Sequence, residues 1–440
     1  MAIAMRLLER LCEEAACPSF LLLASFLLPL LLICLLRRLR HLSRLPPGPS
    51  GYPLFGILPL ITKQFHLQLF DYAQKFGKIL SLKMGSQMVV VLNDPNVIKK
   101  AFARPEFSGR PKSALSSILN GYGKKSNFLI YLLLYKFIQL KNYAALYFLQ
   151  KVHIFLASIL TSRLFLFQGI ISSEGSLWSA QRRFLHKQKF GLKHWGNMGE
   201  RMESVVMHEV QAFLSTLAAE SSCSPLNPAP ILNCFISNVI CTITMSTRFL
   251  PNDAKFRRFM HLFDEGFRLF TQTGALLFLP VLRHLPGMRA VCEQLKRNRD
   301  EMLRFVQEIV ADHEDSLDPK APRDLVDSYL LEIQSADAAN MEQLFPDGKE
   351  PRTQLYQIML DLFSAGVETL KTTLQWSMLH MVHNPEVKGR VQAELERVVG
   401  PNRLPSMADM AELPYTRATI YEVVRRSNVV PMGTTHATDR

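Results

Sequence analysis

The chain has 440 residues, 48% of them hydrophobic, enough to bury a large core as one big domain or two. Its net charge of +13 suits a surface that meets acidic lipids or an acidic partner, and the scattering of the basic residues, without interleaved aromatics, sets nucleic acid aside. Seven cysteines form no C-x-x-C pair and no metal spacing, which reads as a reduced, cytosol-facing protein with buried free thiols.

Pro18 to Leu36 is nineteen uncharged residues, nearly all Leu, Phe, Ile, Ala or Ser. A helix of that length crosses ~30 Å of hydrocarbon. Arg37, Arg38, Arg40 and Arg44 follow at once, whereas Arg6 and Arg10 before it are offset by Glu9, Glu13 and Glu14. The basic flank puts the N-terminus in the lumen and the body in the cytosol. A cleaved signal peptide is the rival, but no small-x-small site follows, so residues 1–45 read as an uncleaved membrane anchor with its flank. Leu45-Pro-Pro-Gly-Pro49 cannot be helical and reads as a stiff hinge.

Lys78 to Leu92 alternates around Gly85-Ser86, the pattern of a hairpin. Asn93-Asp94-Pro95 caps and opens a helix to about Phe102. Lys124 to Gln168 then breaks the pattern, with no Asp, Glu, Gly, Pro, Met, Cys or Trp among crowded Leu, Phe, Ile, Tyr, Lys and Asn. Connections are normally polar and rich in turn formers. Gly123-Lys124 can be encoded by a splice donor and the Leu/Phe-rich end by a pyrimidine tract, so 124–168 reads as a retained, translated intron. A second membrane helix is the alternative, but Lys136, Lys141, Lys151, His153 and Arg163 interrupt any uncharged span of that length.

Trp178 and Arg182 are four apart and share a helix face. An indole N–H and a guanidinium there can hold a carboxylate, or make a surface cation–π pair. From Glu200 to Met302 several helices are expected, with Phe259, Phe263, Phe267 and Phe270 forming a stripe that is ordinarily core. Helices follow at about Ala290–His313 and Pro322–Ile333, then a polar linker from Ser335 to Lys349.

Pro351 to about His383 carries apolar residues at Leu355, Ile358, Met359, Leu362, Phe363 and Val367, which is helical spacing. Gly366 inside it costs ~1 kcal/mol against alanine and needs a reason. Either a flat ligand lies on the bare backbone, with Glu368 and Thr369 beside it to deliver protons, or the glycine marks a helix crossing and Glu368 is an incidental surface acid. Asn384-Pro385 opens a further helix that Gly400 ends, with Val387, Val391, Leu395 and Val398 on one face. Pro414 opens another, with Glu422 and Arg425 at i, i+3, and Val430-Pro431-Met432-Gly433-Thr434 and His436 follow.

Taken in order, four of these segments resemble the cytochromes P-450, the heme-thiolate monooxygenases: Pro46-Pro-Gly-Pro49, Trp178-x-x-x-Arg182, Ala365-Gly366-Val-Glu368-Thr369 and Glu422-x-x-Arg425. The likeness covers about 46–123 and 169–440. It is greatest to the insect family-18 members of the microsomal class, which hydroxylate ecdysteroids at C26, on Val367-Glu-Thr-Leu-Lys-Thr-Thr-Leu-Gln-Trp376 and Val429-Val-Pro-Met-Gly-Thr-Thr-His436.

The resemblance implies a mainly α fold with a small β region over 46–440, behind the transmembrane helix and incomplete at the C-terminus. It implies heme, with Trp178 and Arg182 at one propionate, His436 at the other, and Ala365 and Gly366 against the porphyrin. Glu368 and Thr369 would relay protons, and a buried Glu422–Arg425 pair would brace the loop of the iron ligand. The pocket would draw on the loop after Arg110, the phenylalanine stripe, Phe363, Ala365 and Val430 to Thr434. Electrons would come from NADPH through a reductase at the endoplasmic reticulum membrane. The substrate would be small and lipophilic: an ecdysteroid by subfamily likeness, otherwise a fatty acid or foreign compound. The family's F-x-x-G-x-x-x-C-x-G loop does not occur before Arg440, so no metal ligand is assigned. The expectation is a truncated gene model or non-catalytic isoform without thiolate-ligated heme.

Overall fold

The computed structural model describes residues 44–85, 87–111, 169–186, 197–220, 226–336, 341, 344–345 and 350–438. The expected anchor at 18–36 and the expected insert at 124–168 lie outside them. Among the described residues no helix is long and apolar enough to cross a membrane. The chain divides into two compact units, Met1–Lys100 and Ala101–Arg440.

In the first unit, helix α1 (Phe65–Phe76) precedes strands β1 (Ile79–Met84) and β2 (Gln87–Leu92). The strands pair antiparallel from Ile79↔Leu92 to Met84↔Gln87, the hairpin expected from the alternation. The carbonyls of Pro46 and Pro47 accept the Ser81 hydroxyl (2.6 Å) and the Ser81 amide (3.0 Å), which ties the proline run along β1. Helix α2 (Pro95–Phe102) begins where Asp94 makes a cap, its Oδ1 accepting the Asn96 and Val97 amides at 2.9 and 3.1 Å.

The second unit is helical: α3 (Gly175–Leu185), α4 (Asn197–Glu220), α5 (Ala229–Met245), α6 (Ala254–Gln272), α7 (Pro286–Asp315), α8 (Leu325–Ser335), α9 (Pro351–His383), α10 (Pro385–Val398) and α11 (Pro414–Ser427). Proline stands at the first or second position of α9, α10 and α11, where its missing N–H is no loss. Asn384 stands at the N-cap of α10, its carbonyl accepting the Lys388 amide at 3.0 Å, while its side-chain amide turns back to the His380 carbonyl at 2.8 Å and helps close α9.

The core is built around the first half of α9. Leu355, Ile358, Met359, Phe363 and Val367 are buried in one cluster with Phe256 and Phe259 of α6, Val306 and Val310 of α7 and Leu325, Val326, Tyr329 and Leu330 of α8. The expected linker before α9 contributes as well, because Phe345 is buried and meets Tyr329 edge-on at 6.1 Å. Beyond Val367 the helix changes character: Leu370, Trp376, Leu379 and Val382 are exposed.

Candidate functional site

Helix α3 is placed by its inner face. Leu177, Gln181, Phe184 and Leu185 are buried there. The Gln181 amide donates to the Leu344 carbonyl (2.7 Å) and its oxygen accepts the Tyr329 hydroxyl (2.8 Å). That leaves Trp178 and Arg182 on the outer side. The Arg182 guanidinium lies 5.3 Å from the centre of the Trp178 ring, a cation–π pair one turn apart.

His436 reaches back to the segment before Arg110. Its Nδ1 lies 2.7 Å from the Phe107 carbonyl, and a carbonyl only accepts, so Nδ1 carries the hydrogen and Nε2 is left for another partner. The ring stacks on Phe102 at 4.2 Å. One residue on, the Ala437 amide donates to the Gly109 carbonyl at 2.7 Å. Arg110 joins both sides: its amide donates to Glu174 Oε2 (2.9 Å), one turn before Trp178, and its Nη1 donates to the Thr435 carbonyl (3.0 Å). The half-buried guanidinium keeps one buried nitrogen, Nε, without a partner, and burial lowers its pKa. Cationic and N–H groups from three distant segments thus share one neighbourhood. Arg110 is not among the donors that the sequence alone points to; its one signal there is a single arginine between Gly109 and Pro111.

On α9, Ala365 and Thr369 are exposed. The Thr369 hydroxyl donates to the Ala365 carbonyl (2.7 Å), Thr373 to that of Thr369 (2.8 Å) and Ser377 to that of Thr373 (2.9 Å). Gly366 does not face the same way. A Cβ there would stand 2.9 Å from Ile240 Cδ1 on α5, so of the two readings of this glycine the contact favours the helix crossing. Glu368 turns elsewhere again, 2.5 Å from Lys371 Nζ, which also lies 3.3 Å from Asp264 on α6. Glu368 and Thr369 are therefore not joined as one relay here, because successive helical residues point about 100° apart. Phe363 is core, packed at 4.9 and 4.7 Å against Phe259 and Phe263. Among the described residues a shallow notch lies beside it, lined by Phe267, Val367 and Glu368 among others.

Glu422 and Arg425 form a bidentate pair at 2.7 Å, but their side chains are 52% and 69% exposed. Among the described residues nothing covers the pair. Val430, Pro431, Met432, Gly433 and Thr434 form an exposed turn closed by the Gly433 amide on the Val430 carbonyl (3.0 Å), leading directly into the Thr435–Ala437 strip. The cysteines among the described residues, Cys234, Cys241 and Cys292, all have thiols whose pKa burial pushes up, so none is a ready thiolate.

The sequence profile described as Cytochrome P450 matches residues 46–130 and 152–440. This chain belongs to the cytochrome P450 family. It is 39% identical to Cytochrome P450 18a1 of Drosophila melanogaster over 93% of this chain and 68% of that one. It is 31% identical to Cytochrome P450 2J5 of Mus musculus over 92% and 70%. It is 32% identical to Cytochrome P450 2D6 of Homo sapiens over 97% and 76%. Cytochromes P450 are heme-dependent monooxygenases that take electrons from a redox partner, typically an NADPH reductase. The unsatisfied Arg110 Nε, with Trp178, Arg182 and His436, fits the two acidic groups on the edge of a heme. The described cysteines do not fit its iron.

Proposed function

We propose that the protein is a monooxygenase of lipophilic compounds that acts on ecdysteroids at C26, with electrons from NADPH through a membrane-bound reductase. The observation that carries this is the 39% identity to Cytochrome P450 18a1 over nearly the whole chain, together with the family-18 likeness of Val367–Trp376 and Val429–His436. Heme, when bound, supplies oxygen activation and insertion of one oxygen atom into a C–H bond. The chain supplies the surroundings. Arg110, Trp178, Arg182 and His436 hold the propionates, the exposed Ala365–Thr369 side of α9 faces the ring, and Thr369 manages hydrogen at its hydroxyl. Glu368 and Lys371 fix charge one face away. The turn at Val430–Thr434 and the Phe263–Phe267 part of the stripe border the substrate.

The uncharged run at 18–36 with its arginine flank supports a single anchor in the endoplasmic reticulum membrane and a cytosolic body. The composition of 124–168 supports an insert, of which 131–151 is the part that the family profile does not match. The test is incubation of 20-hydroxyecdysone and NADPH with the protein expressed from its full-length transcript alongside a reductase. A 26-hydroxylated product is expected. Turnover of fatty acids or foreign compounds with no such product removes the steroid assignment and keeps the monooxygenase.

A further inference from the structure

Helices α6 and α7 pair in opposite directions along the chain, Lys255 with Glu308, Arg258 with Glu301 and Glu265 with Asn298, so they run antiparallel. A slot of about 190 Å³ opens between them. Its floor is apolar: Phe259 and Leu262 are buried, and the half-buried Phe305 stacks on Phe259 at 4.2 Å. Two ion pairs cross it from helix to helix, Lys255 to Glu308 at 3.1 Å and Arg258 to Glu301 in a bidentate pair at 2.7 and 2.9 Å. These pairs occupy both acids of the lining. Arg304 stands between Glu301 and Glu308 on the same face of α7, and its Nε donates only to the Asp300 carbonyl of its own helix, at 3.3 Å. Among the described residues no carboxylate pairs with it. The slot therefore combines an apolar floor with one positive charge in surplus.

We propose that this slot binds a small amphiphile with one carboxylate and a single short apolar chain or ring, its carboxylate on Arg304 and its body against Phe305, Leu262 and Phe259. An apolar hollow with a few convergent polar groups is the usual form of a small-molecule site. Apolar cavities of ~150 Å³ take a benzene, so this one has room for a ring or a short chain and not for the two tails of a membrane lipid. The guanidinium matches a carboxylate with two parallel N–H groups. A second negative charge on the ligand would meet Glu301 and Glu308 on either side, which selects a monoanion. Entry is easy, because the Lys255–Glu308 pair is 77% and 61% exposed and such pairs cost little to part. The opposite side of the Phe259 ring meets Phe363 at 4.9 Å, so the slot lies behind the core of α9 and not on its exposed Ala365–Thr369 side.

Photolabelling of the full chain tests it, with octanoate that carries a diazirine at the end of its tail and mass spectrometry to place the label. Label is expected on peptides holding 255–262 and 301–308. Excess plain octanoate should remove it, and octanol, which has the tail without the charge, should need a concentration on the order of tenfold higher. Arg304→Gln should cut the labelling on the order of tenfold, whereas Arg304→Lys, which keeps the charge, should retain most of it. Four results overturn the proposal: label confined to other segments, the Ala365–Thr369 side of α9 included; octanol competing as well as octanoate; wild-type labelling in R304Q, or equal loss in R304Q and R304K; and displacement by dihexanoyl phosphatidylserine at lower concentration than by octanoate, which would make the slot a lipid headgroup site. The label is read without heme or turnover. Its failure leaves the monooxygenase reading standing, and a failure of 20-hydroxyecdysone turnover leaves the slot standing.

Discussion

The ammonium of Lys371 holds the carboxylate of Glu368 at 2.5 Å, on the side of α9 that faces α6 rather than the side that bears Thr369. Lys371 is largely buried and also meets Asp264 at 3.3 Å, so one cation balances an acid from each of two helices. Burial opposes its charge, but the bonds to Glu368 and Asp264 win and raise its pKa.

Lys371→Met leaves two carboxylates facing each other without the cation between them. The cost lies between that of an exposed pair and a buried one, on the order of 2 kcal/mol. Urea unfolding followed by circular dichroism reads it, and a loss no larger than that of Lys255→Met, whose pair with Glu308 is exposed, would show that Lys371 is not holding α6 to α9.

Gly366→Ala separates a crossing from a ligand-facing notch. The new methyl meets only the flexible tip of Ile240, while helix propensity gains ~1 kcal/mol. The single variant should therefore lie within about 1 kcal/mol of wild type. In an Ile240→Val background, which removes the Cδ1 atom, the alanine should be net stabilising. Identical effects in both backgrounds, read from thermal unfolding, rule out Ile240 as the neighbour that matters.

Asp361 gives the chain an acid-side signature. Desolvation raises its pKa to about 6 against three hydrogen bonds that pull the other way. A carboxyl whose folded pKa lies above its unfolded one binds its proton more tightly when folded. Stability is then greatest below pH ~4 from this group and falls as pH climbs to 6, by on the order of 3 kcal/mol, with no further change above. Asp361→Asn should flatten that part of the stability–pH curve; an unchanged slope would mean that another group is responsible.

His313 acts in a higher window. Burial disfavours its charge, but its Nε2 lies 2.9 Å from the Asp324 carboxylate, and the pair raises its pKa. The stabilisation is fully present below the ordinary imidazole value, pH ~6.5, and is lost as pH rises through the folded value. In His313→Gln this loss should vanish. Asp324 also caps α8 through the Asp327 amide (3.0 Å), so Asp324→Asn should cost more than the histidine change.

The exposed Glu422–Arg425 pair yields the smallest effect. Glu422→Gln should change the stability of this chain by less than about 1 kcal/mol. A loss of several kcal/mol in urea titration would show that the pair braces something after all.

The parts legible in the sequence are the local ones. The β1–β2 hairpin, the Asp94 cap and the proline starts of α9, α10 and α11 each depend on a few neighbouring residues, and each stands where alternation or punctuation put it. The spacing of Trp178 and Arg182 gave their shared face but left open whether they meet a carboxylate or each other; they meet each other, and Arg110 and His436 come to the same neighbourhood. What stayed hidden rests on partners far away along the chain. Ile240 beneath Gly366, the 169–171 backbone on Asp361, and the Phe107 carbonyl at His436 Nδ1 have no trace in local periodicity. The exposure of Glu422 and Arg425 was hidden for the same reason, since burial is decided by what packs on a helix and not by the spacing of its charges.

The hydroxyl row on α9 leaves a chemical constraint on anything that settles beside it. Thr369, Thr373 and Ser377 each spend their single hydrogen on a carbonyl one turn back, so outward they offer lone pairs alone. A neighbour that brings a hydrogen, such as water or a steroid alcohol, finds three waiting acceptors, whereas one that needs a hydrogen must first make Thr369 let go of Ala365.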